Sequence, residues 1–154
     1  MRRHDREVTD GSDILRILDA CDTLHVALQG EAYPYVVPLS FGWEERDGRV
    51  ALYVHGAGEG LRHTLMARCP RVAVEASRMH RYVDTGHGLT CVYESVMGTG
   101  EAEALHGQEA ERGLRAIVRH CGFAEADLGP QALLAVTSVW RITLREITGK
   151  RRTI

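Results

Sequence analysis

The residues best placed to do chemistry run from His55 through Gly56, Ala57, Gly58, Glu59, Gly60 and Leu61 to Arg62. A β-compatible stretch, Leu52, Tyr53 and Val54, leads into them, and a helical pattern leads away from them. One histidine, three glycines and one arginine are thereby delivered to a helix N-terminus. That is a physical recipe for holding a phosphate, because the first-turn amides and the helix dipole favour an anion and a guanidinium adds charge-assisted hydrogen bonds. His4, His80, His87 and His106 show no metal-ligand spacing, so no metal is assigned. No Ser-His-Asp or Cys-His arrangement can be argued from spacing either.

The elements that must position these residues are read from periodicity and breakers. Asp10, Ser12 and Asp13 offer caps to a helix in which Ile14, Leu15, Ile17 and Leu18 recur up to about Cys21. Residues 23–28 read as a strand, and residues 33–43 as one long strand whose Pro34 and Pro38 must sit at an edge or in non-pairing positions. Residues 44–48 form a hairpin loop and residues 50–54 the return strand. A helix over 61–67 and a buried strand over 72–76 follow. Residues 78–88, with two histidines, two glycines and several charges, read as a loop. A strand over 91–104 carries Gly98 and Gly100 at a bulge or close approach, a helix covers 108–120 and is closed by Gly122, and a last strand runs over 135–147 and ends at Gly149 and Lys150. Six strands and three helices joined mainly by hairpins predict a mainly β (α+β) antiparallel barrel with peripheral helices.

Bulk composition narrows the function classes. A chain of 154 residues is one domain long enough to bury a core without staples. No apolar run approaches the ~20 residues that cross a bilayer, and the charged N-terminus is not followed by a signal segment, so no membrane partner and a cytoplasmic location are expected. A net charge of -2 with interspersed signs lacks the basic stripe that nucleic acid demands. Cys21, Cys69, Cys91 and Cys121 are scattered and are expected to be reduced, small buried hydrophobes.

The order of Tyr33-Pro34-Tyr35-x-Val37-Pro38, then His55-x-Ala57-x-x-Gly60-x-Arg62, then Tyr93-Glu94-Ser95-Val96-x-Gly98-x-Gly100-x-Ala102, then Thr148-Gly149-Lys150 resembles the pyridoxamine 5′-phosphate oxidase-like split-barrel flavoproteins. Within them it is most similar to the nitroimidazole-reductase-like (Nim-type) branch. The resemblance implies a six-stranded split barrel that homodimerises and binds one FMN in each of two grooves between subunits. By the same carry-over Arg62 contacts the flavin phosphate, with His55, Gly56, Ala57 and Gly60 around it. Val37, Pro38, Leu39 and Ser40 run along the flavin edge, Ser95 reaches in from the second subunit, Trp140 forms an aromatic wall, and Lys150 is a second phosphate contact. The implied function is FMN-dependent oxidoreduction of a small planar substrate, with a reduced nicotinamide as donor. The C-terminal segment lacks the Arg- and His-bearing stretch with which pyridoxamine 5′-phosphate oxidases hold substrate phosphate, so that activity is not expected. The competing reading is a non-catalytic flavin or haem module, or a redox sensor, on the same barrel, with His55, His80 or His87 as haem ligand.

Overall fold

The computed structural model describes residues 3–123, 128 and 136–154. After a single 3-10 turn at His4–Arg6, the element order is β1(Glu7–Val8), α1(Gly11–Asp19), β2(Leu24–Leu28), β3(Tyr35–Leu39), β4(Phe41–Arg46), β5(Arg49–Ala57), α2(Leu61–Arg68), β6(Arg71–Asp84), β7(Leu89–Leu105), α3(Gly107–His120) and β8(Thr137–Arg152). All strand pairs are antiparallel, in the order β3-β2-β6-β7-β8-β5-β4, with β1 added on β8.

That order makes a barrel that does not close. The strands β3 and β4 lie at the two ends of the sheet, yet one residue, Ser40, joins them. The sheet must therefore curl until its edges meet at Ser40, while β3 keeps β2 as partner and β4 keeps β5. The expected mainly β class with peripheral helices and a split barrel is what is observed, with eight strands among the described residues rather than six.

Several expected boundaries move, each for a local reason. The single strand expected over 33–43 is two, because the chain changes partner at Ser40. Pro38 sits opposite His25 on the sheet-edge strand β3, where its missing donor costs the ladder nothing. The hairpin loop shrinks to Asp47 and Gly48, both at positive φ (53° and 72°), which fits a two-residue turn. Residues 78–84 are strand, not loop: β7 supplies partners for them, pairing Arg78 with Glu94 and Tyr82 with Cys91. Their side chains are mostly exposed on both faces, so no alternation marked them. The last strand continues through Gly149 and Lys150 to Arg152. Its expected first residue, Ala135, lies outside the described residues.

The α1 cap is the expected one, with Asp10 accepting from the amides of Ser12 (2.8 Å) and Asp13 (3.4 Å). Its buried Ile14, Ile17 and Leu18 join Leu24, Val26, Phe41, Leu52, Val54, Trp140 and Ile142 inside the barrel. Each such side chain contributes about 1.5–3 kcal/mol by leaving water. A second core lies outside the sheet, where Ala51, Tyr53, Leu105 and Val139 meet Ala116 and Ile117 of α3. Strand β5 is thus covered on both faces. The helix can come this close because Gly42 and Gly113 have no side chain; a Cβ at Gly42 would stand 2.3 Å from the Ala116 carbonyl carbon. The register shifts between Thr99 and Gly100, beside the expected bulge glycines. Among the described residues no helix is long and apolar enough to cross a membrane.

Candidate functional site

The end of β5 and the start of α2 form one corner. His55, Gly56 and Ala57 pair with Val139, Ser138 and Thr137 of β8, and the β4 ladder ends at the Phe41–Val54 pair, which leaves Ser40 beside His55. Gly60, at φ 98°, is the N-cap of α2 and supplies no side-chain cap. The first-turn amides of that helix, which have no internal partner, open outward without a capping side chain.

Arg62 folds back over this corner. Its Nη1 donates to the His55 carbonyl (3.0 Å) and its Nη2 to the Ala57 carbonyl (3.4 Å). The guanidinium lies directly over Gly56, where a Cβ would stand 2.3 Å from Nη2. The absent side chain is therefore what admits the arginine. No carboxylate pairs with Arg62 among the described residues, and burial lowers its pKa, with the Tyr35 phenol of β3 acting weakly the other way. A partly desolvated cation held by neutral carbonyls is a site prepared for an anion. His55 is exposed at the end of β5 yet partly desolvated, which pushes it below the usual imidazole value first, with the Arg62 charge second. It is an uncharged hydrogen-bonding group at neutral pH.

Beside this corner lies an open cleft of about 800 Å³, with His55, Gly56, Glu59, His63, His106 and Ser138 on its walls. Within it Trp140 Nε1 donates to Ser138 Oγ (2.7 Å), and Ser138 Oγ lies 3.3 Å from His63 Nδ1. The His63 ring meets Trp140 edge-on at 5.5 Å. Among the described residues no three His, Cys, Asp or Glu side chains converge as a metal site would require.

The residues expected to bind cofactor thus fall into two groups. His55, Gly56, Ala57, Gly60 and Arg62 are together, with Ser40 adjacent and Val37, Pro38 and Leu39 running away along the edge strand β3. Ser95 and Lys150 are directly opposite each other on β7 and β8. They are remote from the first group: Lys150 is eleven residues along β8 from Val139, the partner of His55, or ~36 Å at about 3.3 Å per residue. Trp140 is buried at 3% exposure in the barrel core and presents its indole nitrogen to Ser138 and its ring to the edge-on His63. Of the haem-ligand candidates, His80 has its Nε2 3.4 Å from Glu94. Sequence reasoning passed over His63 and Ser138. His63 follows Arg62 in the first turn of a helix already singled out, and that adjacency was the available signal.

A family profile described as pyridoxamine 5'-phosphate oxidase matches residues 10–151. The chain belongs to this family. Its fold is also that of solved structures in the split-barrel group. A candidate 5-nitroimidazole antibiotic resistance protein from Bacteroides thetaiotaomicron superposes with a TM-score of 0.80 at 27% identity, over 94% of this chain and 85% of that one. The flavocytochrome Anf3 from Azotobacter vinelandii gives 0.80 at 22% identity, over 100% and 72%. The FAD and heme binding protein from Mycobacterium smegmatis gives 0.81 at 22%, over 97% and 74%. Among curated proteins, none matches. The resemblance read from the motifs of the pyridoxamine 5′-phosphate oxidase-like family, Nim-type neighbour included, is borne out.

Proposed function

We propose that this protein binds a flavin, FMN in the first instance, with the flavin phosphate on Arg62 and the first-turn amides of α2. The observation that carries the reading is the cradle itself: a partly buried guanidinium with no acidic partner among the described residues, laid over a glycine at an uncapped helix start. Neighbours of the same fold described as FAD and heme binding proteins or flavocytochromes support flavin as the ligand class. FMN is preferred over FAD because a terminal phosphate makes fullest use of a helix N-terminus.

Once bound, a flavin supplies electron transfer; the chain supplies position and electrostatics. Val37, Pro38, Leu39 and Ser40 offer a sheet edge along which a flat ring system can lie, and neutral His55 offers one hydrogen-bonding group beside it. The activity proposed is oxidoreduction of a small planar substrate, with a reduced nicotinamide as donor. Nitroaromatic compounds are the first class to try, given the nitroimidazole-resistance neighbour.

The working form proposed is a homodimer. In one chain Ser95 and Lys150 lie far along β8 from Arg62, so only a second chain can carry them to the flavin. The β6–β7 hairpin that holds Ser95 also exposes Met79, Tyr82 and Leu89 at 62%, 67% and 79%, apolar surface of the kind that an interface covers. Purification followed by a visible spectrum, then titration of the colourless fraction with FMN, tests the reading. Two broad flavin bands and saturable FMN binding are expected. A sharp Soret band without flavin favours the haem alternative, and a protein that refuses added FMN overturns the proposal.

A further inference from the structure

The cleft next to the Arg62 corner has a wall that the flavin phosphate reading does not use. Ser138 Oγ accepts the Trp140 indole proton at 2.7 Å and lies 3.3 Å from His63 Nδ1. A hydroxyl oxygen that already accepts one proton can donate its own to Nδ1. His63 then carries its ring proton on Nε2, which has no protein partner among the described residues. The edge-on contact with buried Trp140 holds the ring in that orientation. If His63 is protonated, Ser138 Oγ still has a second lone pair for Nδ1–H, so the anchor survives either state.

The surroundings specify the ligand. His55 and His106 share the wall with His63; α3 starts on the cleft at His106, α2 starts beside it between the lining residues Glu59 and His63, and neither helix has a side-chain cap. Glu59 is the one carboxylate among the described residues that line it, and that side chain is exposed. Ala57, Ala104, Leu105 and Val136 supply apolar surface around these polar groups. Donors and positive ends of dipoles thus converge on a partly apolar space of about 800 Å³, a volume typical of small-molecule sites.

We infer that this cleft binds an anionic oxygen group on His63 Nε2, with Ser138 as the positioning residue that sets the His63 tautomer. The group is a carboxylate of a small organic acid or, should Arg62 not hold it, the phosphate of the flavin itself. Sodium benzoate and FMN are the probes that separate these two sources. The site needs no bound flavin to be measured, so it can fail or stand apart from the reading above.

The test is NMR of 15N-histidine-labelled protein, titrated with benzoate in the FMN-free state and again after loading with FMN. In the free protein His63 should be the Nε2–H tautomer, and benzoate should move its ring signals saturably. His63→Asn, which keeps a group able to meet Ser138 but has no Nε2 counterpart, should weaken benzoate at least about tenfold. His63→Gln, whose amide reaches the Nε2 position, should recover part of that loss, and near-UV circular dichroism of Trp140 reports whether each variant is folded. Ser138→Ala should shift the His63 tautomer. If FMN-loaded protein still binds benzoate, the ligand is a separate acid; if FMN and inorganic phosphate both displace it and Arg62→Ala leaves FMN affinity unmoved, the group is the flavin phosphate. The inference is overturned if benzoate leaves the His63 signals of the wild-type protein unmoved, or if a folded His63→Asn binds benzoate as wild type does.

Discussion

Gly56→Ala is the sharpest test of the cradle, because it leaves every charge in place. The added Cβ would stand 2.3 Å from Nη2 and 2.9 Å from Cζ of Arg62. Those atoms end a flexible side chain, so the backbone need not move, but the guanidinium must leave the His55 and Ala57 carbonyls. The folding cost is the loss of two ordinary hydrogen bonds, about 0.5–1.5 kcal/mol each, partly returned because the carbonyls border an open cleft and can be rehydrated. The binding cost is set by the charge-assisted contact to phosphate, roughly 1.5–3 kcal/mol. At 1.4 kcal/mol per tenfold, Arg62→Ala should weaken FMN about ten- to a hundredfold. Gly56→Ala, which misplaces the cation without deleting it, should weaken FMN about tenfold, and Arg62→Lys should fall between wild type and Arg62→Ala. The assay is quenching of flavin fluorescence at fixed, moderate salt, since phosphate contacts weaken as ionic strength rises. An Arg62→Ala protein that melts like wild type and binds FMN within about twofold of it would refute the assignment, since even the low end of that contact predicts tenfold.

Three further outcomes can be checked independently. The imidazole of His55 is held down by its surroundings and by Arg62, so in Arg62→Ala its pKa should rise toward the ordinary 6.5, read by NMR titration; an unchanged value would separate the two residues. Burial, the largest single influence on the Glu94 pKa, raises it, but Arg151, His80 and Arg16 together hold it below its ordinary 4.5. A carboxylate depressed in the folded state stabilises fully above that value and loses the contribution as pH falls below it. Glu94→Gln should therefore cost about 1 kcal/mol at neutral pH and flatten the acid limb of a stability profile taken below pH 4.5. Finally, a Cβ at Gly42 would collide with the backbone of Ala116 and Ile117 at 2.3–2.5 Å. Overpacking of this kind costs roughly 1–3 kcal/mol, so Gly42→Ala should lower Tm by roughly 2–10 °C in a calorimetric scan.

The legible parts of the fold were those where one face is buried and the other wet. Helix α1 declared itself through Asp10 and the Ile14, Ile17, Leu18 spacing, and α3 through Ile117 and its neighbours. What escaped was pairing set by a distant partner. Residues 78–84 carry an Arg, His, Arg, Tyr mixture that signals a loop, yet they are strand because β7 extends opposite them, with Arg78 in register against Glu94 as one cross-strand neighbour. Nothing local to that segment encodes its partner. Ser40 escaped for the converse reason: apolar and aromatic residues flank it without interruption, and only the global curl of the sheet requires the chain to change edges there.

The site divided along the same line. Its proposed phosphate corner is local, seven residues from Gly56 to Arg62, and local spacing was enough to single it out. Ser95 and Lys150 came from the family resemblance, and in the structure they are cross-strand neighbours, fixed against each other by the β7–β8 register, at the far end of the strand that also pairs with His55. A strand that carries both halves of a site at opposite ends cannot fold them onto one ligand, but two antiparallel copies of it can supply one half each to two ligands. The separation of Ser95 from its own Arg62 is therefore what the proposed two-site dimer needs. Under the proposed dimer, Ser95→Ala should therefore weaken the flavin held on the partner's Arg62 rather than the one on its own Arg62, read by FMN titration of dimers mixed from Ser95→Ala and Arg62→Ala chains.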